Sequence, residues 1–241
     1  MPRFFVAPED INESTAVIRG ADAVHIGRSL RMRLGDELTV CCGGEDYICT
    51  IDTISDEQCT LTVREKRAGS GEPSVRVTLY QAVPKSDKLE LIVQKAVELG
   101  VSEIVPVLTL RCVSRPDGKS FRKKQERLCK IALEAAKQCG RSIVPRVGDM
   151  ISLDECAARL GEHEKGLVCY EKGGRPLREV VGADSRDIGI FIGSEGGFEE
   201  SEVEKCRSCG AEVIGLGSRI LRCETAPLAA AAIVMSLTGN M

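Results

Sequence analysis

The sequence predicts two folded parts, a small β-barrel followed by a larger α/β domain built on a mostly parallel sheet. Three observations predict this. Short alternating strands fill the first third. The segment Arg67-Ala-Gly-Ser-Gly-Glu-Pro73 has the composition of a flexible linker. From residue 74 onward, strands alternate with helices. The expected domains are therefore 1–72 and 73–241, and 241 residues are enough for two ordinary domains.

In the first part, residues 38–42 form an apolar run, and 47–54 and 59–63 alternate. Gly43-Gly44 and Ser55-Asp56-Glu57 supply the turns. Short strands at this spacing suit a small barrel. In the second part, 75–82 is a strand. Residues 86–99 form a helix with Leu89, Ile92, Val93, Ala96 and Val97 on one face, closed by Gly100. A strand at 104–108 precedes a basic helix over 120–139, ended by Gly140, and a short strand at 143–147. Ser152-x-x-Glu155 is a capping box that opens the next helix. Strands at 167–170 and 188–192, a helix over 199–209, a strand at 213–216 and a helix over 224–237 complete the chain. Residues 228–235 are apolar nearly all round, which demands burial in the domain or against another subunit.

Composition narrows the function. Hydrophobic residues at 43% and charged residues at 29% fit a soluble globular protein. No window approaches the ~18 apolar residues of a membrane span, and MPRFFVAPED lacks the layout of a secretory signal. With no Trp, 3 Tyr and 5 Phe, the chain is poor in the rings that non-specific single-strand binders use. Two histidines, His25 and His163, are too few for a His-rich metal site. The twelve cysteines are scattered, several in apolar stretches (Cys49, Cys59, Cys129, Cys169) where a reduced Cys acts as a small hydrophobe. Cys206-x-x-Cys209 is the only metal-like spacing and has no second pair, so no metal is expected and a redox pair is the weaker alternative. A reducing, cytoplasmic compartment follows.

The net charge of −3 hides a split: residues 1–72 carry −5, whereas 111–146 hold 11 basic and 3 acidic groups. Such a segment attracts a polyanion or is a solvated helix face, and charge alone weighs the two evenly.

Two glycine-rich segments each follow a predicted strand: Gly193-Ser194-Glu195-Gly196-Gly197-Phe198 and Gly215-Leu216-Gly217-Ser218-Arg219. Ligands of open α/β sheets bind at the carboxyl ends of strands, so these loops are the expected site. Neither is a P-loop, because no Gly-Lys-Ser/Thr follows. Gly215-x-Gly217 has Ile220 where a dinucleotide fingerprint needs its third glycine, and neither His adjoins a nucleophile elbow. Arg219 and Arg222 lie beside the second loop, placed either to hold an anionic substrate or to pair with Glu224 or Glu195.

These residues carry a family resemblance. The chain resembles the bacterial 16S ribosomal RNA uracil-N3 methyltransferases of the SPOUT (α/β-knot) superfamily. The matching pieces are Arg3-Phe4-Phe5-Val6, His25 through Leu34-Gly35-Asp36, and Lys85-Ser-Asp-Lys88 running into Leu91-Ile-Val-Gln-Lys-Ala-Val-Glu-Leu-Gly100. Glu134-Ala-Ala-Lys-Gln-Cys-Gly-Arg141, Ile192-Gly-Ser-Glu-Gly-Gly-Phe198 and Leu216-Gly-Ser-Arg-Ile-Leu-Arg-Cys-Glu-Thr-Ala226 follow in the family's order. Ser194 stands where the family usually has Pro, which would loosen that loop, and Cys139 where Ser is common.

The resemblance implies a PUA-like RNA-binding barrel, a SPOUT domain whose end threads a deep trefoil knot, S-adenosylmethionine (SAM) as cofactor, and a homodimer. The implied partner is 16S ribosomal RNA or the small ribosomal subunit, and the implied product is a uridine methylated at N3, at position 1498 of that RNA. SAM would contact Gly193, Glu195, Gly196, Gly197, Leu216, Gly217, Ile220, Leu221, Thr225 and Ala226. Arg219, Arg222 and Glu195 are the candidate catalytic residues, with Glu224 a second candidate base. Arg28, Arg31, Lys85, Arg111, Arg122, Lys123, Lys124 and Arg141 are the expected RNA contacts. The rival classes are a catalytically inactive RNA-binding or ribosome-assembly protein, and a SPOUT enzyme acting on another RNA position. SAM binding separates the first from the enzyme, and only the target separates the second.

Overall fold

Glycine at two consecutive positions sets the first hairpin. Gly43 and Gly44 both have positive φ (60° and 83°), and Cys42 pairs with Glu45 across them, the two-residue turn that matches strand twist. The hairpin joins β3 (Glu37–Cys42) to β4 (Glu45–Ile54). The computed structural model describes all 241 residues. They divide into one unit of Met1–Glu72 with Ala136–Val144, and a second of Pro73–Ala135 with Pro145–Met241.

In the first unit, β1 (Arg3–Phe5), β2 (Thr15–Arg19) and β5 (Gln58–Ala68) complete a five-stranded sheet of order β1-β3-β4-β5-β2. Only the β1–β3 pairing is parallel. Register shifts at Ile48/Cys49 and Ile51/Thr53 bend β4 against β5 and curl the sheet into a half-barrel. Its concave side holds Phe4, Ile18, Leu38, Val40, Cys49, Ile51 and Leu61, closed by Ala23 and Ile26 from the short helical segment α1 (Ala21–Val24) and the wide turn after it.

The expected linker is a packed element. Arg67 and Ala68 end β5, and a Cβ on Gly69 would lie 2.2 Å from the Gly44 carbonyl oxygen and 2.5 Å from Ser142 Cβ. Only glycine allows this approach. Arg141, expected to contact RNA, is buried here instead. Its guanidinium donates to the Glu72 carboxylate at 2.7 Å, and that carboxylate also accepts the Ser142 and Ile143 N–H groups.

The second unit carries an all-parallel sheet: β6 (Arg76–Ala82), β7 (Glu103–Leu108), β8 (Arg146–Val147), β9 (Ile151–Ser152), β10 (Lys165–Cys169), β11 (Arg175–Pro176), β12 (Asp187–Ile192) and β13 (Glu212–Gly215). The order is β11-β13-β10-β12-β6-β7-β8, with β9 also on β7. The helices are α2 (Lys88–Glu98), α3 (Gly118–Cys139), α4 (Leu153–Glu162), α5 (Glu200–Ser208) and α6 (Ala226–Leu237). Helices α4 and α5 pack on each other over a core of Tyr80, Val105, Val107, Val168 and Phe191, while α6 packs against β6 and β12 and α2 packs on α6. Such two-sided cover explains the continuous apolar runs of β10 and β12.

The capping box at α4 is formed: Ser152 Oγ accepts the Glu155 N–H at 3.2 Å, and the Glu155 carboxylate accepts the Ser152 N–H at 2.8 Å. The predicted strand at 143–147 shrinks to two residues, and α6 begins two residues later than expected. Cys129, expected as a core hydrophobe, is exposed on α3. All twelve cysteines are free thiols, and no helix is long and apolar enough to cross a membrane.

Candidate active site

The parallel strands β10, β12 and β13 end side by side. Cys169 ends β10 and Tyr170 and Glu171 follow it, the loop 193–197 follows β12, and residues 216, 217 and 219–223 follow β13. Together with Lys88 and Ala226 they line a cavity of about 500 Å³. The two glycine loops singled out in the sequence are thus brought to one site. Of the expected cofactor contacts, all but Thr225 line it, and Thr225 is exposed outside it at the start of α6.

The first loop is a tight turn. The Gly197 N–H donates to the Ser194 carbonyl at 2.9 Å, and Gly197 has φ +65°. A Cβ on Gly193 would sit 3.1 Å from Gly197 backbone, and one on Gly197 would sit 2.6 Å from the Glu171 carboxylate. Buried Gln81, at the end of β6, donates to the Gly193 carbonyl at 3.2 Å. Ser194 corrects an expectation: it does not loosen the loop. Its buried hydroxyl donates to the Arg111 carbonyl at 3.2 Å, while Arg111 donates to the Gly196 carbonyl at 2.8 Å and to Glu199 at 2.9 Å. Arg111 is therefore a brace of this loop.

Lys88, a motif residue to which the sequence alone gives no role, is central. Its Nζ lies 3.2 Å from Glu195 Oε1 and 3.1 Å from Glu224 Oε2, with Cys223 Sγ at 3.7 Å. Burial pushes the Glu195 carboxyl up, but backbone N–H groups (its own and that of Lys85) and Lys88 outweigh this and hold it below the usual range. Glu224 is likewise held low, by the Cys223 thiol and by Lys88. Burial foremost, aided by Glu224, pushes the Cys223 thiol up to about 12. Both candidate bases are thus stable carboxylates, which are weak proton acceptors.

With the carboxylates held by Lys88, the pairing alternative for Arg219 and Arg222 drops out. Both arginines are exposed at the cavity, and neither forms an ion pair. Tyr170 and Glu171 were missed, although their place just after a parallel strand was a usable signal. The cavity falls within the ~300–1,000 Å³ that seats small ligands. Its mix of bare glycine backbone and apolar walls (Ile192, Leu216, Ile220, Leu221, Ala226) suits a nucleoside cofactor such as SAM.

Comparison with known proteins decides the family. An RNA methyltransferase domain model matches residues 71–235, and an RNA methyltransferase PUA domain model matches 18–64. Ribosomal RNA small subunit methyltransferase E of Bacillus subtilis is 35% identical over 240 residues, covering 95% of this chain and 93% of that one. The chain belongs to the ribosomal RNA small subunit methyltransferase E family. The Neisseria gonorrhoeae structure of that family, bound to S-adenosyl methionine, superposes with a TM-score of 0.88 at 30% identity, covering 98% of both chains. A methyltransferase from Legionella pneumophila in complex with SAM reaches 0.87 at 27% identity, covering 97% of this chain and 96% of that one. As a member of this family, the chain is a SAM-dependent ribosomal RNA methyltransferase with a half-barrel joined to a SPOUT-type α/β domain.

The expected RNA contacts are divided between the two units. Arg28 and Arg31 are exposed on the first unit, Arg28 paired with Asp56. On the second unit Lys85, Arg122 and Lys123 are exposed, and Lys124 donates to the Ser86 carbonyl at 3.1 Å. Arg111 and Arg141 hold the protein itself together.

Proposed function

We propose that this chain transfers the methyl group of SAM to N3 of a uridine in 16S ribosomal RNA, the U1498 position implied by its family. The observation that carries the proposal is the cavity at the carboxyl ends of β10, β12 and β13, walled by both glycine loops and edged by two unpaired arginines.

Bound SAM supplies an electrophilic methyl group, and no metal is needed for its in-line displacement. Residues 193–197 and 216–226 would hold it through backbone groups and apolar contact. A uracil that gives its N3 proton to solvent water bears negative charge on the base, and Arg219 and Arg222 would stabilise that charge as it develops. Glu195, kept ionised by its N–H donors and Lys88, serves better to hold the site than to remove the proton. In this reading residues 1–72 form the RNA-binding domain and 73–241 the methyltransferase domain, and the protein works in the cytoplasm.

A homodimer and a trefoil knot at the C-terminal end complete the proposal. Support for the dimer is apolar surface on two helices that pack together: Leu91 on α2 is 44% exposed and Ile233 on α6 is 40% exposed, with Ile220 in the cavity loop at 80%. Calorimetric titration of SAM, followed by mapping of methylated nucleotides in RNA from a gene-deleted strain, tests the activity. Loss of a single N3-methyluridine is the expected result. An unchanged methylation map would overturn it.

A further inference from the structure

We propose that Lys88 is a positioning residue, a latch that ties the two cofactor loops together by neutralising a carboxylate on each. The inference rests on the cofactor site proposed above and adds the device that keeps it assembled.

Glu195 belongs to the loop after β12, and Glu224 to the segment after β13 that leads into α6. These walls are 29 residues apart in sequence, with all of α5 and β13 between them. Lys88, in the first turn of α2, reaches both carboxylates at 3.1–3.2 Å, and its third N–H is directed at Cys223 Sγ. Each donor of the ammonium group therefore has an acceptor, which fixes the side chain. Without the lysine, two carboxylates drawn to one point repel each other, and their walls lose the one charged tie between them. The remaining ionisable groups at this end of α2 are Lys85, whose N–H donates to Glu195, exposed Asp87, the Glu90–Arg127 pair and Lys124 on the Ser86 carbonyl. From the second loop, Arg219 and Arg222 line the same cavity, exposed and without ion pairs, and the Cys223 thiol donates to Glu224. None of these cations has a side-chain ion pair with Glu195 or Glu224, so Lys88 is the one cation that bridges them.

The test compares Lys88→Met, Lys88→Arg and the double variant Lys88→Met/Glu224→Gln. Calorimetry with SAM from pH 5 to pH 8 and amide hydrogen exchange on the ligand-free protein give the readouts. Lys88→Met keeps the length of the stem and removes the charge. It is expected to weaken SAM about tenfold at pH 8 and to speed exchange at residues 194–198 and 217–225. Lys88→Arg, which spans both carboxylates, stays within about threefold of the parent protein. The double variant removes the repulsion and recovers most of the affinity and protection. Acid does the same for the single variant: a proton on either carboxylate relieves the pair, so the gap from the parent protein narrows toward pH 5.

Three outcomes overturn the latch. They are parental affinity and exchange in Lys88→Met, a loss that neither the second substitution nor acid repairs, and a Lys88→Arg variant as weak as the methionine one. Failure of the parent protein to bind SAM would count against the cofactor site itself, and exchange in the ligand-free protein would still decide the latch.

Discussion

Arginine 141 separates two roles that a charge count cannot. In the structure it is buried, and its fork grips Glu72 through Nε at 3.2 Å and Nη2 at 2.7 Å. Breaking a buried ion pair by removing one partner costs ~3–5 kcal/mol. Here the surviving carboxylate keeps the Ser142 and Ile143 N–H donors and is partly exposed, so Arg141→Ala should cost about 2–3 kcal/mol. For a folded unit of 60–100 residues each kcal/mol moves the melting temperature by ~4–8 °C. A drop of roughly 10–20 °C in the transition of the N-terminal unit is therefore expected by calorimetry of the full chain. Arg141→Lys keeps the charge that a phosphate would read but loses the planar fork, and should cost about 1–2 kcal/mol. If both variants melt like the parent while Arg141→Ala lowers the salt slope of RNA binding by about one, the structural assignment fails and Arg141 is a phosphate contact after all.

Further tests address the cofactor site, the RNA face and the dimer. Gly193→Val would push Cβ to 3.1 Å from Gly197 backbone, and Gly217→Val would place a branched residue at φ +105°, a strain of ~1–3 kcal/mol. Each should weaken SAM about tenfold or more in calorimetry, and unchanged affinity in both would remove these loops from the site. Arg122→Ala with Lys123→Ala should reduce the RNA salt slope by about two units in filter binding and leave SAM affinity intact. Identical slopes would return the helix to an ordinary solvated face. For the dimer, Ala231 is a poor probe because it is buried within the protomer. Ile233→Asp, on the exposed side of α6, should shift sedimentation at micromolar concentration from dimer to monomer. A parent protein that sediments as a monomer would sink the dimer proposal.

The legible parts of this chain are those whose signal is local. Gly43-Gly44 announces its hairpin because two successive positive φ angles exclude almost every other residue, and Ser152-x-x-Glu155 announces a helix start because both partners lie within one turn. The glycine loops were legible for the same reason, each being a short segment just past an apolar strand. Strand β1 was not: three residues carry too little periodicity, and its partner β3 lies some 36 positions away. Lys88 escaped because its role exists only when three segments meet.

The basic segment shows the same limit in quantitative form. Residues 111–146 hold 11 cations, yet seven of them have partners within the protein. Arg111 pairs with Glu199, Arg115 folds onto the Thr109 and Leu110 carbonyls, and Arg127 holds Glu90. Lys137 holds Asp22, Arg141 holds Glu72, and Arg146 faces Glu103. Lys124 is also engaged, on the Ser86 carbonyl. The exposed cations left to face a phosphate backbone are Lys119, Arg122, Lys123 and Lys130, all on α3. Four contacts at ~0.7–0.9 counterions each give this segment a salt slope of about −3, far shallower than eleven cations would suggest. A steeper measured slope would require the first unit, through Arg31 and Arg33, to carry the difference.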